Sequence, residues 1–476
     1  MAASYQTLEV MKSCVSPIVE QLDERLALKE RGITYGKKDL EMNANTFATY
    51  TLSRMHLVQL GNAQIYTYCS KGYYIEMNDR MLKAICRGII HEAKTDIWCR
   101  KWEGEYFEAL RREIPFVEEM NPEKGLINLT NGMLNLYSME FVNHDPSYLS
   151  TIQTPIEYDG SASCPKFEEF LFDIFEGDRE RIMLVQEIMG YCFIPDIKIQ
   201  KAFFFIGSGS NGKSVLSEVI RHLIGIGNVS NVSLKDLGGR FGMQNLPGKL
   251  VNVSTENEFD RKFNTQNFKI LTGGDAVNVE QKFKASFNTR LFAKTIVLLN
   301  SMMDSNDLTN GYFRRLQIIP FNKIYRELRA GEAPIEGVSY MDKSLLDKLL
   351  TELPGILNFA MKGLARLIEN NFNLTESKVC EKALEDYKVS QNPIPEYFNA
   401  RVYWDEGEVT LRSDFKRDFS RWAENNGLDN VKSIGSTKFW EMFSRVLIEK
   451  GIKVREKKIN GDYYVEGLGI YFYYPE

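Results

Sequence analysis

Residues 207–214 read Gly-Ser-Gly-Ser-Asn-Gly-Lys-Ser, and no other stretch restricts this chain so strongly. The string fits G-x-x-x-x-G-K-[ST], a loop whose glycines let backbone N–H groups converge on a bound phosphate. Both flanks agree with that reading. Ala202-Phe203-Phe204-Phe205-Ile206 is a short apolar run that predicts a buried strand. Val215 to Ile224 repeats apolar residues at helical spacing, so the loop opens a helix whose N-terminus favours anions. Gly207, Ser208, Gly209, Ser210, Asn211, Gly212, Lys213, Ser214 and Val215 are therefore candidate nucleotide contacts. Lys213 would reach the β- and γ-phosphates of ATP, and the Ser214 hydroxyl would hold Mg²⁺. A plain glycine-rich turn accounts for neither flank. The fold class implied is α/β.

Composition excludes other classes. The 476 residues suffice for about two to four domains. A net charge of −5 gives no global basic signature, so any nucleic-acid contact must be local. Seven cysteines without a C-x-x-C pair and four histidines suggest neither a zinc site nor a disulfide framework, and reduced thiols are expected. No signal-peptide pattern opens the chain, and no apolar run approaches the ~18 residues of a membrane span. No membrane partner and a cytoplasmic setting are expected.

The chain divides into five expected segments: 1–60, a helical region built on Ser16 to Arg31; 61–195, α+β; 196–330, the nucleotide-binding core; 331–395, helical connectors; and 396–476. In the second, Ile65–Tyr68 and Tyr73–Ile75 read as a hairpin, Asp79 as a helix cap, and 126–136 as a strand pair with an Asn-Gly turn. Asn392-Pro393-Ile394-Pro395 reads as a linker. Within the core, Lys249–Ser254 predicts a second strand with Glu256 and Glu258 after it, where carboxylates can order Mg²⁺ and polarise water. Thr295–Leu299 predicts a third, ending in Asn300, an amide able to bond a γ-phosphate or the attacking water. Arg314 and Arg315 precede a fourth, where an arginine reaches a neighbouring subunit's nucleotide more readily than its own. Lys282, Phe283 and Lys284 suit a hairpin that touches single-stranded backbone and bases. Each has a plainer reading: a solvated loop, a turn-forming Asn, a solvated strand edge. After residue 396, two aromatic-faced helices (the second capped by Ser436) and a basic hairpin form a winged-helix pattern. Lys438, Arg445, Lys457 and Lys458 lie on its basic face, which suits DNA or, with solvated charges, a protein.

In combination these motifs resemble the superfamily 3 helicases, AAA+ ATPases of viruses and mobile elements, and more closely the poxvirus, phage and plasmid primase–helicase type. The likeness rests on the phosphate loop, Glu256-x-Glu258, Leu-Thr-Gly-Gly-Asp at 271–275, the lysines at 282 and 284, Asn300, and Arg314-Arg315 before Ile-Pro-Phe. Upstream it is carried by Asn131–Leu136, Cys164-Pro165-x-Phe167 and Glu187-x-x-Gly190-Tyr191. The resemblance implies that Glu256 is the Walker B acid and a Mg²⁺ holder with Glu258 second, Asn300 sensor 1, Lys282 or Lys284 the DNA-gripping hairpin, and Arg314 or Arg315 the arginine finger. It further implies an ATP-driven homo-hexameric ring moving 3′ to 5′ on single-stranded and forked DNA, in a bacterial host's cytoplasm. Origin duplex and a separate primase or polymerase are the further partners implied. Two departures stand out. No proline follows Asn300 closely, and no Asp-x-Asp pair or zinc cluster marks a primase. Two other functions remain open: an origin-binding initiator or loader acting through residues 396–476, and a small-molecule kinase or GTPase. Against the last, Asn322-Lys323-Ile324-Tyr325 lacks the aspartate of a guanine-reading motif.

Overall fold

Five parallel strands form the centre of the molecule. β1 (Ala202–Ile206), β2 (Val229–Ser230), β3 (Val251–Thr255), β4 (Lys294–Leu299) and β5 (Leu316–Pro320) pair in the order β2-β3-β4-β1-β5. The computed structural model describes residues 9–18, 23–61, 64–255, 265–280, 282, 286–303, 305, 307–328, 335–428 and 434–471. Strands of a sheet covered on both faces read as continuous apolar runs, and β1 and β4 are buried almost throughout. β4 departs from an apolar run at its first two residues, Lys294 and Thr295, both buried. Lys294 is 2% exposed, donates to the Ile194 carbonyl and lies 4.8 Å over the Tyr191 ring, and burial pulls its pKa down to about 7.

Helices α1 (Pro165–Ile174), α2 (Arg179–Tyr191), α3 (Lys213–Ile224) and α4 (Leu353–Glu369) share one hydrophobic core with this sheet. That core runs from Ile127 to Cys380 without a break at 195 or 330. A second runs from Cys14 to Ile114, joining the first 60 residues to the hairpin and helices after them. A third fills residues 394–468. Close contact between α2 and α4 requires a glycine: a Cβ on Gly190 would lie 2.4 Å from the Ala360 carbonyl oxygen. Beside it, Glu187 is 1% exposed and accepts from Arg366 Nε at 2.6 Å, Thr375 N at 2.7 Å and Thr375 Oγ1 at 2.5 Å. Glu187→Ala would strand those donors and is expected to cost roughly 2–4 kcal/mol. Chemical denaturation followed by tryptophan fluorescence checks this, and an unmoved midpoint would contradict it.

Several local expectations are corrected. Instead of a helix over Ser16 to Arg31, residues 16–18 are irregular around Pro17. A shorter helix, Glu24–Glu30, begins where Asp23 Oδ1 accepts from Leu26 N at 2.9 Å. Asn78, not Asp79, caps the helix Asp79–Ala93 by accepting from Met81 N at 2.9 Å. The turn between Leu126–Leu129 and Gly132–Asn135 is Thr130-Asn131, since Gly132 already pairs with Leu129. The supposed linker at 392–395 opens the helix Ile394–Arg401, whose Ile394 and Tyr397 are fully buried. Gly435, not Ser436, precedes the helix Ser436–Glu449 as its cap.

The C-terminal part is helix, strand, two helices and a hairpin. Val402–Leu411, Asp462–Ile470 and Arg455–Ile459 pair in that spatial order, with helices Arg412–Asn425 and Ser436–Glu449 against them. The hairpin turns at Asn460-Gly461, both with positive φ (53° and 94°), as a two-residue turn matched to strand twist requires. No helix among the described residues is long and apolar enough to cross a membrane.

Candidate nucleotide site

β1 delivers the chain to the C-terminal edge of the sheet, and α3 carries it away. The loop between them is closed on itself. Gly207 must be glycine, because a Cβ there would fall 2.1 Å from Asn211 Nδ2 and 2.4 Å from the Phe321 carbonyl oxygen. Asn211 is 2% exposed and donates to that carbonyl at 3.2 Å, tying the loop to the end of β5. Lys213, 6% exposed, donates from Nζ to the Gly207 carbonyl at 2.5 Å and to Asn211 Oδ1 at 3.0 Å. Burial holds its ammonium pKa below the usual lysine range. A desolvated cation resting on its own loop's oxygens has the chemistry to take phosphate oxygens in their place. Ser208, Ser210 and Ser214 are exposed; Gly209 and Val215 line the cleft with Ser210 and Ser214. These residues fit a triphosphate with a divalent cation.

The cleft over this loop has a volume of about 740 Å³. Thr255 ends β3, Leu299 ends β4, and Asn300 follows it; all three line the cleft. β4 lies between β1 and β3, so exposed Asn300 stands between the phosphate loop and the strand that leads to Glu256. Glu256 and Glu258 themselves lie outside the described residues, as do Phe283 and Lys284. Lys282 is exposed at the tip between the paired strands Ala276–Val279 and Phe287–Arg290, its Nζ 5.9 Å from the Phe241 ring centre.

Arg314 and Arg315 are on the opposite edge. β5 pairs with β1 from Leu316↔Ala202 to Pro320↔Ile206, so the arginines lie about 13 Å of strand away from the loop. Arg314 is exposed, with one long bond of 3.4 Å to Gln200 Oε1. Arg315 donates from Nη1 to the Gly311 carbonyl at 2.5 Å, while its Nε is buried without a hydrogen-bond partner among the described residues. Burial first, then the adjacent Arg314 charge, pushes its pKa down, with Asp275 opposing.

In the C-terminal part, Lys438 and Arg445 are exposed seven residues apart on one helix face. The hairpin is less freely basic than its composition suggests. Lys457 pairs with Glu466, Arg412 pairs with Glu456 at 3.2 Å, and Lys458 lies 5.2 Å over Tyr463. Arg412 also stacks 4.3 Å over Trp440, in a groove that includes Ser436 and Tyr463.

Sequence reasoning missed one wall of the cleft. Lys166, Glu169, Phe170 and Asp173 of α1 line it, as do Tyr325 and Tyr340. Their only signal was the helical spacing of the first four, which says nothing of what that face meets.

Fold and loop together define an α/β nucleotide-binding core. Sequence comparison agrees in part: residues 205–315 match a family of unknown function, DUF5906, and residues 110–176 match the "D5 N terminal like" family. The chain is similar to "Putative helicase 184R" of Invertebrate iridescent virus 6, at 24% identity over 68% of this chain and 37% of that protein. It is similar also to "Putative helicase L207/L206" of Acanthamoeba polyphaga mimivirus, at 22% identity over 43% of this chain and 22% of that one. The chain thus spans 37% and 22% of these relatives' lengths. In fold it is similar to apo structures of the NrS-1 C-terminal region. One has a TM-score of 0.52 at 13% identity, covering 87% of this chain and 97% of that one. A second has 0.51 at 13%, covering 94% and 100%.

Proposed function

We propose that the chain is an ATP-dependent replicative DNA helicase of the superfamily 3 AAA+ kind, from a phage or mobile element. It works as a homo-hexameric ring moving 3′ to 5′ along single-stranded DNA. The observation that carries this reading is the β2-β3-β4-β1-β5 order, with Asn300 just past the end of the strand between the phosphate loop and the strand before Glu256. A small-molecule kinase has no use for a pair of arginines facing away from its own site. The viral relatives named as helicases support the same direction.

Lys213 neutralises charge growing on the β- and γ-phosphates, and Asn300 holds a γ-phosphate oxygen or the attacking water. Glu256, with Glu258 as second carboxylate, polarises that water. Ser214 and Glu256 would hold Mg²⁺, which would supply positive charge against the phosphates. Arg314 or Arg315 reaches the neighbouring subunit's nucleotide. Lys282, Phe283 and Lys284 grip one strand, and a winged helix over 396–476, with Lys438, Arg445, Lys457 and Lys458, takes the fork or origin duplex. A separate primase or polymerase completes the replication step.

The test is ATP-dependent unwinding of a forked duplex bearing a single 3′ tail, beside a 5′-tailed control. Unwinding of the 3′-tailed fork alone is expected. If ATP is hydrolysed and duplex bound while neither fork opens, the origin-binding initiator or loader becomes the better reading.

A further inference from the structure

The cleft has two ends of different chemistry, and the sheet order orients them. β4 and β3 lie on one side of β1 and lead to Asn300 and Thr255; β5 lies on the other side. A triphosphate seated with its γ-phosphate towards Asn300 carries its nucleoside away from it, to the β5 side. There the cleft is walled by the α1 residues Lys166, Glu169, Phe170 and Asp173, one helix face at i, i+3, i+4 and i+7. Tyr340, Met341 and Leu346 line the same cleft.

Both walls are fixed. α1 abuts the phosphate loop so closely that a Cβ on Gly212 would fall 2.7 Å from Ile174 Cγ2 and 3.4 Å from the Phe170 ring. Asp173 is bonded by Lys323 and by the Tyr325 hydroxyl, and Tyr325 N donates to the Ser210 carbonyl at 2.7 Å. Across the cleft, Arg326 N donates to the Ser339 carbonyl at 2.9 Å and Met341 N to the Arg326 carbonyl at 3.0 Å. Lys343 pairs with Glu327 at 2.7 Å. With Asp173 committed, Glu169 is the α1 carboxylate left facing the cleft. Aromatic and aliphatic walls with a few polar groups are what a base and ribose need.

We infer that the face of α1 and residues 340–346 form the nucleoside subsite of this cleft. They grip the base and ribose of a nucleoside triphosphate, with Glu169 accepting from a nucleoside N–H or O–H. The inference rests on the phosphate-loop reading above, and it makes the upstream α1 a direct sensor of nucleotide occupancy.

Calorimetric titration of the full chain with ATP and with inorganic tripolyphosphate, both with Mg²⁺, separates the two readings. Met341, 41% exposed, is the cleaner target, because Phe170 is 6% exposed and its loss perturbs packing. Met341→Ala and the milder Phe170→Leu are each expected to weaken ATP binding roughly five- to tenfold while tripolyphosphate stays within about twofold. If both ligands weaken together in these variants, or neither does, the nucleoside subsite is overturned and the phosphate loop stands. If the wild-type chain binds neither ligand, the phosphate-loop reading falls, and the subsite with it.

Discussion

Lys213→Ala is expected to remove ATP turnover, lowering kcat by roughly a thousandfold or more. The loop is held by other bonds: Asn211 Nδ2 still donates to the Phe321 carbonyl, and Tyr325 N still donates to the Ser210 carbonyl. What disappears is one desolvated cation resting on the Gly207 carbonyl and Asn211 Oδ1. In a buried setting that charge acts on developing phosphate charge with little screening by water. The loss should therefore appear in chemistry and not in folding. Phosphate release, measured beside thermal unfolding, checks both. Turnover should vanish while the unfolding midpoint stays within about 3 °C. Wild-type turnover in the variant would remove this loop from the reaction.

What could be read from the residues was local. An apolar run, a glycine loop and a helical period over 202–224 are each contained in a few consecutive positions, and they appear as β1, loop and α3. The C-terminal helices and their Asn460-Gly461 turn were legible for the same reason. Packing between distant segments was not. Nothing in Phe170 or Ile174 announces that they close over Gly212, about 40 positions on, or that Asp173 holds Lys323 and Tyr325. Expected segment ends followed changes in local pattern, whereas buried clusters follow tertiary contact and run across 60, 195 and 330. Helix starts slipped by one residue at Asn78 and Gly435 because adjacent polar or small residues compete for the cap, and only backbone geometry decides. Lys294, a lysine at the start of a buried strand, has no sequence signature at all.

Arg314→Ala is expected to abolish hydrolysis while leaving ATP affinity nearly unchanged, with a loss of roughly 10³-fold or more in kcat. Arg315→Ala should fall in the same direction. An arginine's side chain cannot cover the length of β5 to its own phosphate loop, so the proposed ring gives its charge a site presented by another copy. Of the two, Arg314 has the freer reach, since its one bond is 3.4 Å long, whereas Arg315 is tied to Gly311. Yet Arg315 keeps a buried Nε with no partner among the described residues, beside a like charge, which an incoming anion would relieve. Mixing subunits decides whether the arginine acts across an interface. Lys213→Ala and Arg314→Ala chains are each expected to be inactive alone. In a randomly mixed ring, roughly a quarter of interfaces would combine an intact loop from one chain with an intact arginine from the next. Activity should therefore reappear on mixing and depend on total protein concentration. An arginine acting within its own subunit predicts no rescue at any ratio, and wild-type hydrolysis in both single arginine variants would end the trans-acting reading.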